Sequence, residues 1–256
     1  MAFDAGPDLP VSGPEPPPHV DLSRPTPLER LLAILELLIC SDYPTQLALG
    51  TTFAALGFGP GRDGSLSLMF VVLVSLADTL LLLGLIAALL LARGESPREL
   101  LFGQRPILAE ARAGIPLALG ALLLGVVILL TIQVAVPSLH DVETNPLQML
   151  IRTRRDAVLF AVVVVLAGGL REEVQRAFLL RRFERWLGGG MVGIIVTSAL
   201  FGAGHRIQGL DAAIATGVLG AFWGLVYLRR RSVVAPVVSH AGFNLLQLAQ
   251  FLTLTR

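Results

Sequence analysis

The chain has 256 residues, 54% of them hydrophobic and 15% charged, a formal net charge of +1 at pH 7, and a mean hydropathy of +0.73. Soluble domains carry about 25% charged residues, so this composition excludes an ordinary soluble globule and fits an all-α, polytopic helical bundle in a membrane. The near-neutral balance gives no basic footprint for nucleic acid, and the single cysteine, Cys40, excludes an internal disulfide or a cysteine-rich metal site.

Residues 1–27 hold eight of the sixteen prolines and few large apolar side chains, and are expected to be a disordered or extended tail. No basic start and apolar run precede Leu28, so anchoring is expected from the spans themselves. Leu28 to Phe58 is apolar but interrupted by Ser41-Asp42-Tyr43-Pro44, which predicts one kinked span or two short helices. Leu66 to Ala92 is a span with Asp78 near its middle. Arg93 to Arg112 is a polar loop with a surface helix near Arg98 to Leu101. Gly114 to Val136 is a span stopped by Pro137. Ser138 to Arg155 is a polar connection, and Asp156 to Trp186 is one long helix ended by Gly188-Gly189-Gly190. Met191 to His205, Asp211 to Leu228 and Val233 to Leu254 complete seven spans, or eight if the first is broken. Residues 28–137 are thus expected to be accessory helices, 138–155 a polar connection, and 156–256 the core. With the N-terminus in the cytoplasm, twelve arginines fall inside and six outside, which sets the expected orientation.

The run Leu170-Arg171-Glu172-Glu173-Val174-Gln175-Arg176 puts four charges inside an otherwise apolar helix. Each costs at least about 2.5 kcal/mol at the bilayer centre on insertion scales, so such residues mark function by default. Glu172 lies seventeen residues before Gly189 and His205 sixteen after it, which brings them to nearly equal depth in a hairpin. Glu172 is nine residues from Arg181 and His240 nine from Arg231, so both sit about 14 Å below the same surface. Within helices, Arg176 can reach Glu172 or Glu173, Phe201 sits beside His205, and His240 shares a face with Asn244. Two carboxylates, two imidazoles and an amide suit activation of water by a general base with donors for an oxyanion. They suit metal binding equally: Glu172, His205 and His240 would hold a divalent ion such as zinc, or none takes part.

Three motifs, Glu172-Glu173-Val174-Gln175-Arg176, Phe201-Gly202-Ala203-Gly204-His205 and His240-Ala241-Gly242-Phe243-Asn244, resemble those of the CPBP-type, CAAX-processing (ABI family) intramembrane endopeptidases. The resemblance spans Ala157 to Leu254. It implies Glu172 as the water-activating base with His205 as its partner, and Glu173, His240 and Asn244 as orienting or oxyanion-binding groups. It also implies a membrane-tethered or transmembrane protein substrate. The usual first motif has Arg five places after its first Glu; here Ala177 stands there and Arg176 comes one place earlier, about 100° around the helix. Signatures of other intramembrane proteases are absent: there is no His-Glu-x-x-His, no Gly-x-Ser-Gly, and no Gly-x-Gly-Asp, with Asp78 reading as a lone acid. The competing expectations are a non-proteolytic membrane scaffold or immunity protein of the same fold, and a proton-coupled transporter. An Arg-rich, Lys-free chain is expected in a bacterial inner membrane.

Overall fold

The computed structural model describes residues 25–61 and 65–254, and among these every regular element is helical. The expected disorder of the proline-rich tail, 1–27, lies outside the described residues over 1–24, as do Arg24, Arg62 and Arg256 of the arginine count, while Thr26 and Pro27 belong to the capped start of the first helix rather than to the tail.

The first span is broken where Ser41 to Pro44 predicts it. Thr26 and Glu29 cap α1 (Pro27–Ile39) reciprocally, and α2 (Tyr43–Phe53) restarts with Pro44 in its first turn. Between them Asp42 adopts φ +79, which costs a non-glycine residue about 1–3 kcal/mol. Ser67 caps α3 (Leu68–Ala92), and Ser96 caps the short α4 (Pro97–Phe102), the expected surface helix. Helix α5 runs from Ile107 to Ala135 and so begins seven residues before the expected Gly114. The reason is tertiary. Glu110, which looks like loop, is buried and accepts bonds from Arg230 Nε and Nη2 at 2.7 and 2.9 Å.

The expected helix from Asp156 to Trp186 has three parts: α6 (Arg154–Val163), a widened π-helical stretch (Val164–Arg171) and α7 (Glu172–Trp186). Helices α8 (Gly190–Gly204), α9 (Leu210–Arg230) and α10 (Val234–Leu254) follow close to their expected limits. Among the described residues, four helical segments are long and apolar enough to cross a membrane: 27–58, 68–92, 107–135 and 210–230. The shorter α8 is also apolar. In α10, His240, Asn244 and two glutamines dilute the hydropathy of a 21-residue helix. Outward faces carry exposed Leu80, Leu119, Leu123 and Leu130, as lipid contact demands. The chain is an integral membrane protein.

Close helix approach positions the site. Gly169 lies on α10, where an added Cβ would come within 2.8 Å of Ala241 Cβ; Gly202 of α8 lies on α9, where it would come within 2.6 Å of the Ala213 carbonyl oxygen. Gly202→Ala is therefore expected to destabilise the protein by about 1–3 kcal/mol through overpacking, read as a lower thermal midpoint in detergent. At one end of the bundle Arg182, fully buried, binds Glu36 of α1 and Glu95 (2.7 Å), and Arg93 adds a 2.5 Å bond to Glu36. This pins α1, the end of α3 and α7 together.

Candidate active site

The π-helical stretch, α7, α8 and α10 bring the three motifs to one place. A cavity of about 230 Å³ is lined by Arg171, Glu172, Phe201, His205, His240 and Asn244, among others. A second, of about 310 Å³, lies between the α1–α2 break and α7–α8, with Leu37, Tyr43, Leu179 and Leu200 in its walls. Arg171, Glu172, Phe201 and His205 border both, so the acid and one imidazole stand at the junction of the two spaces.

In both imidazoles Nδ1 faces an acceptor and so carries a proton. His205 Nδ1–H donates to the Phe201 carbonyl at 2.8 Å, since a carbonyl only accepts. His240 Nδ1–H donates to Glu173 Oε1 at 2.8 Å, and its Nε2 lies 3.8 Å from Glu172 Oε2. Glu173, 2% exposed, also accepts from Arg176. Arg176 in turn lies 4.6 Å over the Phe201 ring. The shifted arginine therefore keeps a carboxylate partner, by an i,i+3 pairing. Ala177 is fully buried in the core beside Phe178 and Leu180, where no guanidinium would fit. Among the described residues, Glu172 Oε2 and Glu173 Oε2 have no hydrogen-bond partner.

Asn244 Nδ2 donates to the Val164 carbonyl at 3.2 Å. That carbonyl begins the π-helical stretch, where the ordinary i to i+4 ladder is interrupted and backbone acceptors are released. The helix distortion thus seats Asn244, and the second N–H of its amide remains for another acceptor.

Two sets of residues have no counterpart in the sequence motifs. Trp223 of α9 stacks on His240 with centroids 3.7 Å apart, and its Nε1–H donates to Ser239 at 3.0 Å. No spacing signal marks it, because α9 and α10 meet only in the fold. The other set is ionic. Arg171 Nη1 bonds Asp42 Oδ1 at 2.7 Å and Asp78, while its Nη2 lies 3.4 Å from Glu172 Oε1. Asp78 is therefore not a lone acid.

The connection between α5 and α6 is fastened to the α8–α9 turn. His140 Nδ1 lies 2.7 Å from Asp211, Asn145 bonds Gln208, and Asp141 accepts from Arg206 and from the Leu210 N–H. The Leu210 N–H first, and then Arg206, hold the Asp141 carboxyl below the usual carboxylate range. Its contribution is present above the unfolded pKa of about 3.9 and is lost as pH falls through the lower folded value. The stability difference between wild type and Asp141→Asn should therefore shrink on acidification from pH 5 to pH 2, as thermal melts at each pH would show.

The metal-ligand expectation meets a geometric test. Among the described residues no three His, Cys, Asp or Glu side chains gather closely enough to hold an ion.

Residues 154–246 match the family model described as Rce1-like, type II CAAX prenyl endopeptidase Rce1-like. This segment is similar to that family. The match runs from the start of α6 into α10 and contains all three motifs, in agreement with the CPBP/CAAX resemblance. The family is one of proteases. No curated protein and no solved structure matches the chain.

Proposed function

We propose that the chain is an intramembrane endopeptidase that hydrolyses peptide bonds of membrane-tethered or transmembrane polypeptides with water activated by Glu172 and His205. The observation that carries this reading is the Glu172–His240 pair. Glu172 Oε2 makes no hydrogen bond among the described residues and stands 3.8 Å from His240 Nε2, in the wall of the cavity.

In the proposed reaction water enters between Glu172 and His205. His205 Nε2 accepts one water hydrogen and orients it, and Glu172 takes the other proton as the oxygen attacks the scissile carbonyl. Glu172 then passes that proton to His240 Nε2. Glu173 behind Nδ1 stabilises the resulting imidazolium, as an acid does behind a catalytic histidine. The imidazolium and the free Asn244 N–H donate to the tetrahedral oxyanion. Collapse breaks the C–N bond, and the proton leaves with the amine. Residues 28–137 serve as accessory helices in this account, and the cavity opens toward the cytoplasm of a bacterial inner membrane.

The Arg176–Glu173 pair supports the endopeptidase reading over a non-proteolytic scaffold, because the shifted arginine still meets a carboxylate of the first motif. The test is cleavage of a panel of membrane-tethered reporters by purified wild type and Glu172→Gln, each with and without chelator. Wild type should cut and Glu172→Gln should not, and chelation should leave the rate unchanged. Loss on chelation with recovery by zinc would move Glu172, His205 and His240 from water activation to ion binding. Uncut reporter in both, with solute transport in proteoliposomes, would favour the transporter.

A further inference from the structure

Arg171 and Glu172 are adjacent, so on a helix their side chains leave about 100° apart. Arg171 departs toward α2 and α3, where two acids from outside the matched segment grip its Nη1: Asp42 at 2.7 Å and Asp78. The Arg171 side chain is 6% exposed and that of Asp78 is fully buried. Its Nη2 returns to Glu172 Oε1 at 3.4 Å, which leaves Oε2 turned toward His240. Asp42 reaches this position through the positive φ between α1 and α2, and Gln46 Nε2 braces its second oxygen at 2.6 Å. A strained backbone, a broken span and a buried acid thus converge on one guanidinium.

We propose that Asp42 and Asp78 are positioning residues that act through Arg171 to aim the Glu172 carboxyl, so that the accessory helices complete the catalytic site of the core. This rests on the endopeptidase reading. Fixing the carboxyl at Oε1 holds Oε2, which makes no hydrogen bond among the described residues, at constant geometry beside His240, and displacement by about 1 Å in such a site costs on the order of 100-fold in rate. Asp78 is fully buried and lines neither cavity, so substrate binding should be spared when it is changed.

Steady-state cleavage of one tethered reporter by wild type, Asp42→Asn, Asp78→Asn and the double variant tests the inference. Asn tolerates positive φ, so Asp42→Asn removes charge while keeping the bend. Each single variant should lose about 10- to 100-fold in kcat, with KM within about threefold, and the double variant should fall no further than the worse single. Glu36→Gln is the control. It breaks an equally buried arginine pair at Arg182, about 15 Å along the helix from Glu172, and should lower the thermal midpoint with kcat per folded molecule unchanged. If Asp78→Asn does not fold, Arg171→Gln with Asp42→Asn and Asp78→Asn removes the guanidinium together with both acids that grip it and should fold yet remain slow. Wild-type kcat in folded Asp42→Asn and in folded Asp78→Asn or its charge-neutral replacement, or an equal kcat loss in Glu36→Gln, overturns the inference and leaves the endopeptidase reading standing. A wild type that cuts nothing overturns both.

Discussion

Glu172→Gln is expected to lower kcat by roughly 10²- to 10⁴-fold while the protein folds as wild type. The substitution keeps the side chain's shape and an oxygen that Arg171 can still bond. It removes only the ability to take a proton from water. Oε2 makes no hydrogen bond among the described residues and Arg171 keeps Asp42 and Asp78, so the amide leaves no buried charge unpaired. Thermal melts and single-turnover cleavage on the same preparation separate the two effects. A folded Glu172→Gln enzyme with wild-type turnover would remove the base from the mechanism.

The second large effect is on stability. Arg176→Ala is expected to cost about 3–5 kcal/mol, because Glu173 would stay buried with a charge that only His240 answers. Packing over Phe201 would go as well. Arg176→Lys should recover part of the loss, since an ammonium restores the charge but not the planar contact with the ring. Removing both partners together, Arg176→Met with Glu173→Leu, should destabilise less than Arg176→Ala alone while abolishing turnover. Unfolding in detergent gives the first set of differences and reporter cleavage the second. An Arg176→Ala protein as stable as wild type would mean that the pair does not hold α7 in place.

The features legible in the sequence were those set by local pattern. The apolar run of Leu68 to Ala92, the break at Asp42 to Pro44 and the glycine turn before α8 followed from composition and backbone preference. The shared depth of Glu172 and His240 followed from helical rise and arginine placement, and the two side chains do meet. What escaped was decided by partners distant in the chain. Helix α5 began earlier than expected because Arg230 neutralises Glu110 across 120 residues. Asp78 looked alone because its cation, Arg171, lies 93 residues downstream. The π-helical stretch has no periodicity of its own, and Gly168 and Gly169 show their purpose only against α10, where an added Cβ would strike Asn244 or Ala241. Hydropathy also understates α10 for a functional reason, since the polar residues that dilute it include His240 and Asn244 of the site.

The central claim is that water held by Glu172 cuts a peptide bond inside the bundle. Mass spectrometry of a tethered reporter incubated with wild type in heavy-oxygen water tests it most directly. The account predicts two fragments whose masses sum to that of the reporter plus one water, with the heavy oxygen in the new carboxylate and neither fragment formed by Glu172→Gln. An intact reporter, or fragments produced equally by Glu172→Gln, would contradict it.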